Sequence, residues 1–290
     1  MLGNFISILE EFDRVNRLMD EELLKKLDRI KDFKTRLMIM GFSGWPDAGR
    51  VSSISIEYLV SSLKAERVGN LKASGYYDLT STRPLVTVSG GVLRDLRFPS
   101  NELYLWTSGD HEKAVLILMG SEPNINWEEY TDRILSICDE CMIRRIYLIG
   151  GVLDFIPHTR EPRVRAVVNM ESLKREIEVY GLKPIEYDGP ASIHSYIMTM
   201  ASKRGIEAIG IWGHSPSYVT IPNPKTALHI LRKLSMMLDI KLDLGDLEKR
   251  VKEFERELSE AVERSLELQR LVRELERKYD EELGAPPYIA

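Results

Sequence analysis

The chain has 290 residues, of which 43% are hydrophobic and 29% charged, and its formal net charge is −5 at pH 7. These values are typical of a globular protein that is long enough to bury a substantial core. No apolar run reaches 18 residues, so the sequence predicts no transmembrane helix and no membrane partner. The acidic balance argues against nucleic acid as a partner.

The N-terminal segment is rich in acidic residues such as Glu10, Glu11 and Asp13. It lacks a basic stretch followed by an apolar one, so we predict no secretory signal and a cytoplasmic protein. Apolar side chains recur at three- and four-residue steps over residues 2–30, which predicts one or two amphipathic helices that pack on the domain. Gln269 is the single glutamine beside abundant Glu, Lys and Arg, a bias typical of heat-adapted proteins.

The first organising feature is a strand that ends in a glycine-rich loop. Leu37–Met40 is an apolar run that predicts a buried strand, and the stretch from Gly41 to Gly49 then breaks it. Apolar residues recur at helical spacing after this loop, so we predict a helix up to Leu63. Ligands of open α/β sheets gather where such strands end. Asp47 fits two roles at this position, a cap on the helix or a polar group in a pocket.

Period-two patterning follows, and strands then alternate with helices. Short strands between residues 85 and 119 are separated by turns such as Ser89-Gly90-Gly91, so we expect a local antiparallel section. The later predictions are helix Trp127–Cys141, strand Arg145–Ile149, strand Arg163–Val168, helix Met170–Tyr180, helix Ala191–Lys203, strand Ile206–Trp212 and helix Pro224–Leu238. This alternation predicts a three-layer α/β fold with a mostly parallel mixed sheet flanked by helices.

A second glycine-rich strand end is the main candidate for chemistry. Gly150 and Gly151 are followed by His158, Thr159 and Arg160, which bring together a titratable ring, a hydroxyl and a fixed cation. This set suits an anion or a carboxylate. The alternative is a structural turn that caps backbone or pairs with a nearby acid such as Asp154 or Glu161.

Other catalytic patterns are incomplete. Ser43 lies in Gly41-Phe42-Ser43-Gly44 and lacks the G-x-S-x-G of a nucleophile elbow. Neither a Walker A stretch nor G-x-G-x-x-G is present, so we predict no nucleotide motif and no cofactor. His194 has no carboxylate fixed near it by sequence, and a packed or surface position suits it better than a catalytic base. His214 is a lone histidine at the end of the last predicted strand, with functional use as the less favoured alternative. Asn223 is a plausible cap for the helix that begins at Pro224.

The two cysteines form a lone C-x-x-C pair, Cys138 and Cys141, on one predicted helix. A tetrahedral zinc site needs four ligands, so the pair is at most half of one and we predict no metal. Packing is the preferred interpretation, with a redox or intersubunit role as the alternative.

The tail has a heptad pattern. Apolar residues alternate four- and three-residue steps from Leu247 to Tyr279, with small residues Ala261 and Ser265 in the middle. This pattern predicts a coiled coil or a helical hairpin that packs on the domain or on another subunit. We therefore predict an N-terminal helical extension (1–35), an α/β domain (36–243) and a helical tail (244–290).

Four segments in this order resemble the PAC2 family. They are Gly41-Phe42-Ser43-Gly44-Trp45-Pro46-Asp47-Ala48-Gly49, Gly150-Gly151 with Pro157-His158-Thr159-Arg160, Tyr187-Asp188-Gly189-Pro190-Ala191-Ser192, and Asn223-Pro224-Lys225-Thr226-Ala227. The family takes its name from a proteasome assembly chaperone, and the resemblance covers roughly residues 36 to 245.

The resemblance implies a phosphorylase-like α/β fold, homo-oligomers and a chaperone or adaptor role around the proteasome. Eukaryotic relatives bind proteasome α subunits, and an archaeal relative docks through a C-terminal hydrophobic-Tyr-any tripeptide. This chain ends Pro287-Tyr288-Ile289-Ala290, which places tyrosine third from the end and departs from that pattern. We predict an archaeal protein whose partners are further copies of itself, proteasome α subunits or another PAC2-like protein.

The sequence predicts two sets of site residues. The predicted partner contacts lie on the tail at Leu268, Val272, Leu275, Tyr279 and Tyr288. The alternative function is the binding or conversion of a small anion or nucleoside in a cleft between the two glycine-rich loops. Its predicted lining is Ser43, Asp47, Gly150, Gly151, His158, Thr159 and Arg160.

Overall fold

The computed structural model describes residues 22–71 and 75–284. The strands are β1 (Thr35–Ser43), β2 (Glu66–Leu71), β3 (Leu85–Ser89), β4 (Val92–Arg97), β5 (Asn101–Thr107), β6 (Lys113–Ser121), β7 (Arg145–Asp154), β8 (Val164–Val168), β9 (Lys183–Pro184) and β10 (Glu207–Pro216). The helices are α1 (22–27 in the described part), α2 (Val51–Leu63), α3 (Trp127–Glu140), α4 (Lys174–Val179), α5 (Ile193–Lys203), α6 (Pro224–Leu238), α7 (Gly245–Glu263) and α8 (Leu266–Gly284). Most of the helical segment predicted over residues 2–30 lies outside the described residues.

Eight of the strands form one sheet in the order β2-β5-β6-β1-β7-β10-β8-β9. The central strands β6, β1, β7 and β10 are mutually parallel, whereas β5 and β8 run antiparallel to their inner neighbours. The predicted mostly parallel mixed sheet and its antiparallel section are confirmed.

The sheet is covered on both faces, which makes the fold three-layered. Because successive side chains of a strand point to opposite faces, alternate residues of β1 enter different cores. Met38 and Met40 pack in a core with α3 and α5, and Ile39 packs in a second core with α2 and α6. Burial on both faces explains why β1 is a continuous apolar run rather than an alternating one.

Several predicted bounds need correction. The strand beginning at Arg145 continues through Gly150 and Gly151 to Asp154, so these glycines lie inside a strand and not in a turn. A Cβ on Gly150 would come within 2.5 Å of the Trp212 ring, and one on Gly151 within 2.5 Å of the Ala48 carbonyl oxygen. The glycines therefore permit close approach rather than chain reversal.

Two further predicted elements differ in form. The predicted helix Met170–Tyr180 is a 3-10 turn over Glu171–Leu173 followed by the six-residue α4, which ends before Gly181 at φ 67°. The predicted strand Ile206–Trp212 extends to Pro216 beside the lengthened β7.

The tail is a helical hairpin rather than one continuous helix. Helix α7 ends at Glu263 and α8 begins at Leu266, with Arg264 and Ser265 between them. Val262 is buried and Ala261 is exposed, so the predicted place of Ala261 on the apolar stripe is wrong. The stripe of α7 is continuous with the core around α2 and α6 through Leu247 and Val251.

The cysteines belong to the core. Cys138 and Cys141 are free and buried, and the Cys138 Sγ atom lies 3.6 Å from the Met38 Sδ atom. Burial raises the pKa of Cys141 to about 11 and that of Cys138 further. The packing interpretation is confirmed. Over the described residues, the helices are too short or too polar to span a bilayer.

Candidate functional site at the carboxyl edge of the sheet

Strands β6, β1, β7 and β10 end at the same edge of the sheet, called the carboxyl edge below. Four loops follow these strand ends, namely residues 122–126, 44–50, 155–163 and 217–223. All the residues predicted to line a cleft lie on or beside this edge.

Asp47 caps helix α2 and anchors its own loop to β7. Its carboxylate accepts a hydrogen bond from the Ser53 backbone N–H at 3.0 Å and another from the Ser53 hydroxyl. The Gly151 N–H donates to the Pro46 carbonyl oxygen, and Asp47 pairs with Gly151 in an isolated bridge. Burial outweighs the hydrogen bonds from Ser53 and raises the pKa of Asp47 to about 6. The capping role predicted for Asp47 is confirmed.

Ser43 and Glu122 form a second group of contacts at the edge. The Ser43 and Ser121 hydroxyl oxygens lie 3.2 Å apart across β1 and β6. Glu122 accepts hydrogen bonds from the backbone N–H groups of Trp45 and Ile193, and burial raises its pKa. Glu122 therefore joins the first glycine-rich loop to the start of α5, an arrangement that the sequence did not reveal.

His158 belongs to the 155–163 loop, and its side chain is buried. Its backbone N–H donates to the Tyr218 hydroxyl, whose oxygen lies 2.6 Å from His158 Nδ1. The Tyr218 proton is then free to bond Nδ1, which assigns the neutral tautomer with its proton on Nε2. Burial, followed by the Lys225 charge, lowers the pKa of His158 and favours the same neutral form.

Thr159 and Arg160 face the tail rather than His158. Arg160 donates from Nε and Nη2 to the two Asp280 carboxylate oxygens at 2.8 and 2.7 Å, and from Nη1 to Glu276 at 3.3 Å. The Thr159 hydroxyl also donates to Glu276. The expected pairing of this turn with Asp154 or Glu161 side chains is wrong for Arg160, because α8 supplies its acids.

The apolar side chains of the tail that were predicted to contact a partner mostly face the protein's own domain. Val272, Leu275 and Tyr279 are buried by the chain itself, and the Tyr279 hydroxyl donates to the Glu161 carbonyl oxygen at 2.8 Å. Leu268 is partly buried. A partner contact by the three buried side chains would therefore require α8 to leave the domain. Tyr288 lies outside the described residues.

Asp154 and His214 form a pair that sequence analysis missed. The His214 Nδ1 atom lies 2.9 Å from Asp154 Oδ2, and Arg163 donates to the same oxygen at 3.3 Å. The bond to His214 is the main cause that lowers the pKa of Asp154 to about 2. Their positions at the ends of adjacent strands β7 and β10 are the signal that would have identified the pair.

The space enclosed by these groups is small. His158, His214, Asn223 and Lys225 help to line a cavity of about 10 Å³, enough for one water molecule. Within the described chain, the Nε2 atoms of His158 and His214 are buried without a protein hydrogen-bond partner. The volume admits about one water molecule and is too small for a phosphate or a nucleoside.

His194 lies in the core on the other side of the sheet. Its ring packs between Phe42 and Trp212 at centroid distances of 5.5 and 5.0 Å, and burial lowers its pKa to about 3. The predicted packing role of His194 is confirmed. In residues 22–71 and 75–284, three His, Cys, Asp or Glu side chains nowhere converge as a metal site.

The carboxyl edge is thus closed by its own polar contacts, while its loops expose apolar side chains. Trp45 and Phe155 are exposed at the ends of β1 and β7, and Ile125 and Ile221 are exposed on the neighbouring loops. The fold and this edge define the class: a three-layer α/β protein whose strand ends present a surface rather than an enclosed pocket.

Comparison with protein families agrees with that class. The PAC2 family model matches residues 41–262, and the chain belongs to the PAC2 family. Comparison with curated protein sequences finds no match.

Solved structures extend the likeness. The PAC2 family protein from Streptomyces avermitilis is 27% identical, with a TM-score of 0.73 and coverage of 82% of this chain and 99% of that one. A proteasome-assembly chaperone homologue from Mycobacterium tuberculosis is 28% identical, with a TM-score of 0.73 and coverage of 81% and 99%. PbaB from Pyrococcus furiosus, an archaeal proteasome activator, shares the fold at 24% identity, with a TM-score of 0.62 and coverage of 79% and 93%.

Proposed function

We propose that this protein acts by protein binding, as a homo-oligomeric proteasome assembly chaperone or adaptor in the cytoplasm. Membership of the PAC2 family and the likeness to the proteasome-assembly chaperone homologue of M. tuberculosis support the proposal. The partners would be proteasome α subunits or another PAC2-like protein. The relatives come from bacteria as well as archaea, so an archaeal, heat-adapted source stays a prediction from sequence.

The observation that carries the proposal is the character of the carboxyl edge. Asp47, His158 Nδ1 and the pair Asp154 and His214 are bonded within the chain, and the cavity among them has room for about one water. Its loops meanwhile expose large apolar side chains, including Trp45 and Phe155. Exposed aromatic residues are common anchors of protein interfaces, whereas small-molecule sites are concave and enclose their ligand.

Binding to α subunits tests the proposal directly. Tagged protein is immobilised and incubated with proteasome α subunits of the source organism at roughly 10 μM, a concentration that detects micromolar affinity. We expect retention of α subunits by the intact chain. Failure to retain any α subunit would remove the proteasome part of the proposal.

A matched pair of variants tests the role of the edge. Phe155 and Val179 are 77% and 76% exposed, and Val179 lies on α4, whose Glu176 is bonded to Arg145 at the opposite end of β7. We expect Phe155→Ser to weaken retention at least about tenfold, which is a typical effect of losing an interface anchor. Val179→Ser is expected to bind as the unmodified chain does. Equal retention by both variants would exclude Phe155 from the interface.

A further inference from the structure

The hairpin of β3 and β4 stands apart from the rest of the molecule. Every residue of both strands is exposed, and the two strands form a sheet of their own. The chain enters β5 through Phe98-Pro99-Ser100, and β5 begins opposite the end of β6, so the hairpin extends from the carboxyl edge. An isolated two-stranded hairpin is marginally stable in water.

The register gives this hairpin one aliphatic face. Val86 pairs with Leu96, and Val88 pairs with Leu93, two residues further along β3. Directly opposed residues share a face, and so do residues two apart on one strand. These four side chains, called the aliphatic face below, are each between 48% and 62% exposed.

A bulge is needed to complete the aliphatic face. The register shifts between Thr87 and Val88, so that Arg94 is the extra residue between Asp95 and Leu93. Without the bulge, Arg94 would oppose Val88 and Leu93 would point to the opposite face. The local irregularity in pairing thus places a fourth aliphatic side chain beside the other three.

The charges of the hairpin lie away from the aliphatic face. Arg97 opposes Leu85 and Asp95 opposes Thr87, which places both charges on the other face, and Arg94 is the bulged residue. A second copy related by a two-fold axis presents the same uncharged surface, so the two faces meet without opposing like charges. Contiguous exposed apolar patches of this kind mark interaction sites.

We propose that the aliphatic face of the β3–β4 hairpin binds the same face of a second copy of this chain. The pairing buries eight aliphatic side chains in a two-fold symmetric contact and leaves Arg97 and Asp95 in solvent. It rests on the self-association part of the proposed function and does not depend on the proteasome. Four side chains per copy make a small contact of the weak, transient kind, so we expect association only at micromolar concentrations or above.

Sedimentation velocity and light scattering of the purified full chain test this pairing from about 1 to 100 μM. The unmodified chain is expected to associate over this range. Val86→Thr/Leu96→Thr replaces two members of the aliphatic face with threonine, a residue that suits strands, and is expected to weaken association at least 100-fold. Leu85→Thr/Val92→Thr makes the matched change on the opposite face and is expected to leave association unchanged.

The outcomes separate this proposal from the proteasome role. A chain that stays monomeric at 100 μM overturns the pairing, and so does unchanged association of Val86→Thr/Leu96→Thr. A third outcome is that the unmodified chain is monomeric and Val86→Thr/Leu96→Thr no longer retains α subunits. In that case the hairpin binds the partner, and the self-pairing is wrong. Near-ultraviolet circular dichroism of both variants checks that the three-layer domain is intact, because all four positions are exposed.

Discussion

Asp47 shows how burial turns a helix cap into a pH-sensitive group. Its pKa is raised from 3.8 to about 6, so between pH 4 and pH 6 the folded chain binds a proton that the unfolded chain has released. The stability contributed by this group is therefore complete below about pH 4 and decreases as pH rises through 6. We expect Asp47→Asn, which keeps the acceptor for the Ser53 N–H, to be more stable at pH 7 by about 2 kcal/mol.

Urea unfolding of both proteins between pH 4 and pH 7 measures this difference. The free energy of unfolding of each protein is plotted against pH, and one curve is subtracted from the other. The subtraction cancels the contribution of Glu122, whose raised pKa changes stability with pH in the same direction. Asp47→Ala serves as the control, because it also removes the acceptor and is expected to be about 1 kcal/mol less stable than Asp47→Asn. A difference curve that is flat across this range would refute the burial argument.

Asp154 changes the stability of the fold with pH in the opposite direction from Asp47. Its pKa is lowered from 3.8 to about 2, first by the bond to His214 and also by the Arg163 charge. The ionised Asp154 carboxylate stabilises the fold above about pH 4, and this stability is lost as pH falls towards 2. We expect Asp154→Asn to cost about 2 kcal/mol at pH 6 and to approach the unmodified chain near pH 2.5, as measured by urea unfolding. A cost that is independent of pH would show that packing, not charge, explains the loss.

For single residues, contacts between neighbours in the sequence were predictable, and contacts between residues far apart in the sequence were not. Asp47 and Asn223 were identified as caps because each accepts from an N–H a few residues along the chain. Arg160 and Asp280 are 120 residues apart, and their contact depends on how the tail folds back. No local pattern around Arg160 contains that information.

Helix α8 illustrates the same limit for a whole element. Its apolar stripe was predicted from the sequence, but the residues of the domain against which the stripe packs were not. The Arg163 guanidinium lies over the Tyr279 ring, 4.9 Å from its centroid. Arg160 binds Asp280, the next residue, and Glu276, about one turn earlier. The tail helix is therefore held by the same His-Thr-Arg turn whose residue types suit an anion site.

Hydrogen exchange measures how strongly that turn holds α8. We expect Arg160→Met to increase amide exchange over residues 266–284 about fivefold, since it removes the bidentate ion pair that joins Asp280 of this helix to the domain. The control is Arg277→Met, because Arg277 pairs with Glu281 inside α8 and leaves the contact with the domain intact. Equal exchange in both variants would mean that apolar packing alone holds the helix.

The order of elements was predictable where patterns are long. Helix α6 begins and ends at the predicted residues because Pro224 and the Asn223 cap mark its start, and its apolar spacing is continuous. Strand β7 was predicted too short, because glycines inside a strand resemble a turn when the side chains that crowd them are unknown. The division of the tail between α7 and α8 follows from packing on the domain, which the heptad spacing does not specify.

For the molecule as a whole, the three-layer fold supplies two exposed surfaces at one edge of its sheet. The loops after β1 and β7 expose Trp45 and Phe155, and the β3–β4 hairpin carries its aliphatic face beyond the same edge. Helix α8 covers the 155–163 loop from the side. Asp47, Arg160 and Asp154 are bonded within the chain, and the cavity beside His158 and His214 has a volume of about 10 Å³, so binding of other proteins is the activity that this surface suits.

This view predicts a negative result with small ligands. A ligand present at a hundred times its Kd stabilises a protein by about 2.7 kcal/mol, which a thermal-shift assay detects. We expect no shift with phosphate, nucleosides or nucleotides, because the cavity beside His158 and His214 has a volume of about 10 Å³. A clear shift with any of them that is lost in Arg160→Met would favour the cleft function instead.

The most direct test of the central claim is a hydrogen-exchange footprint of the chain with and without proteasome α subunits. If the carboxyl edge is the binding surface, amides in residues 44–50, 122–126 and 153–156 become protected, while those of α4 do not change. Protection confined to α4 or to the outer face of α7, with the three edge loops unchanged, would contradict the account.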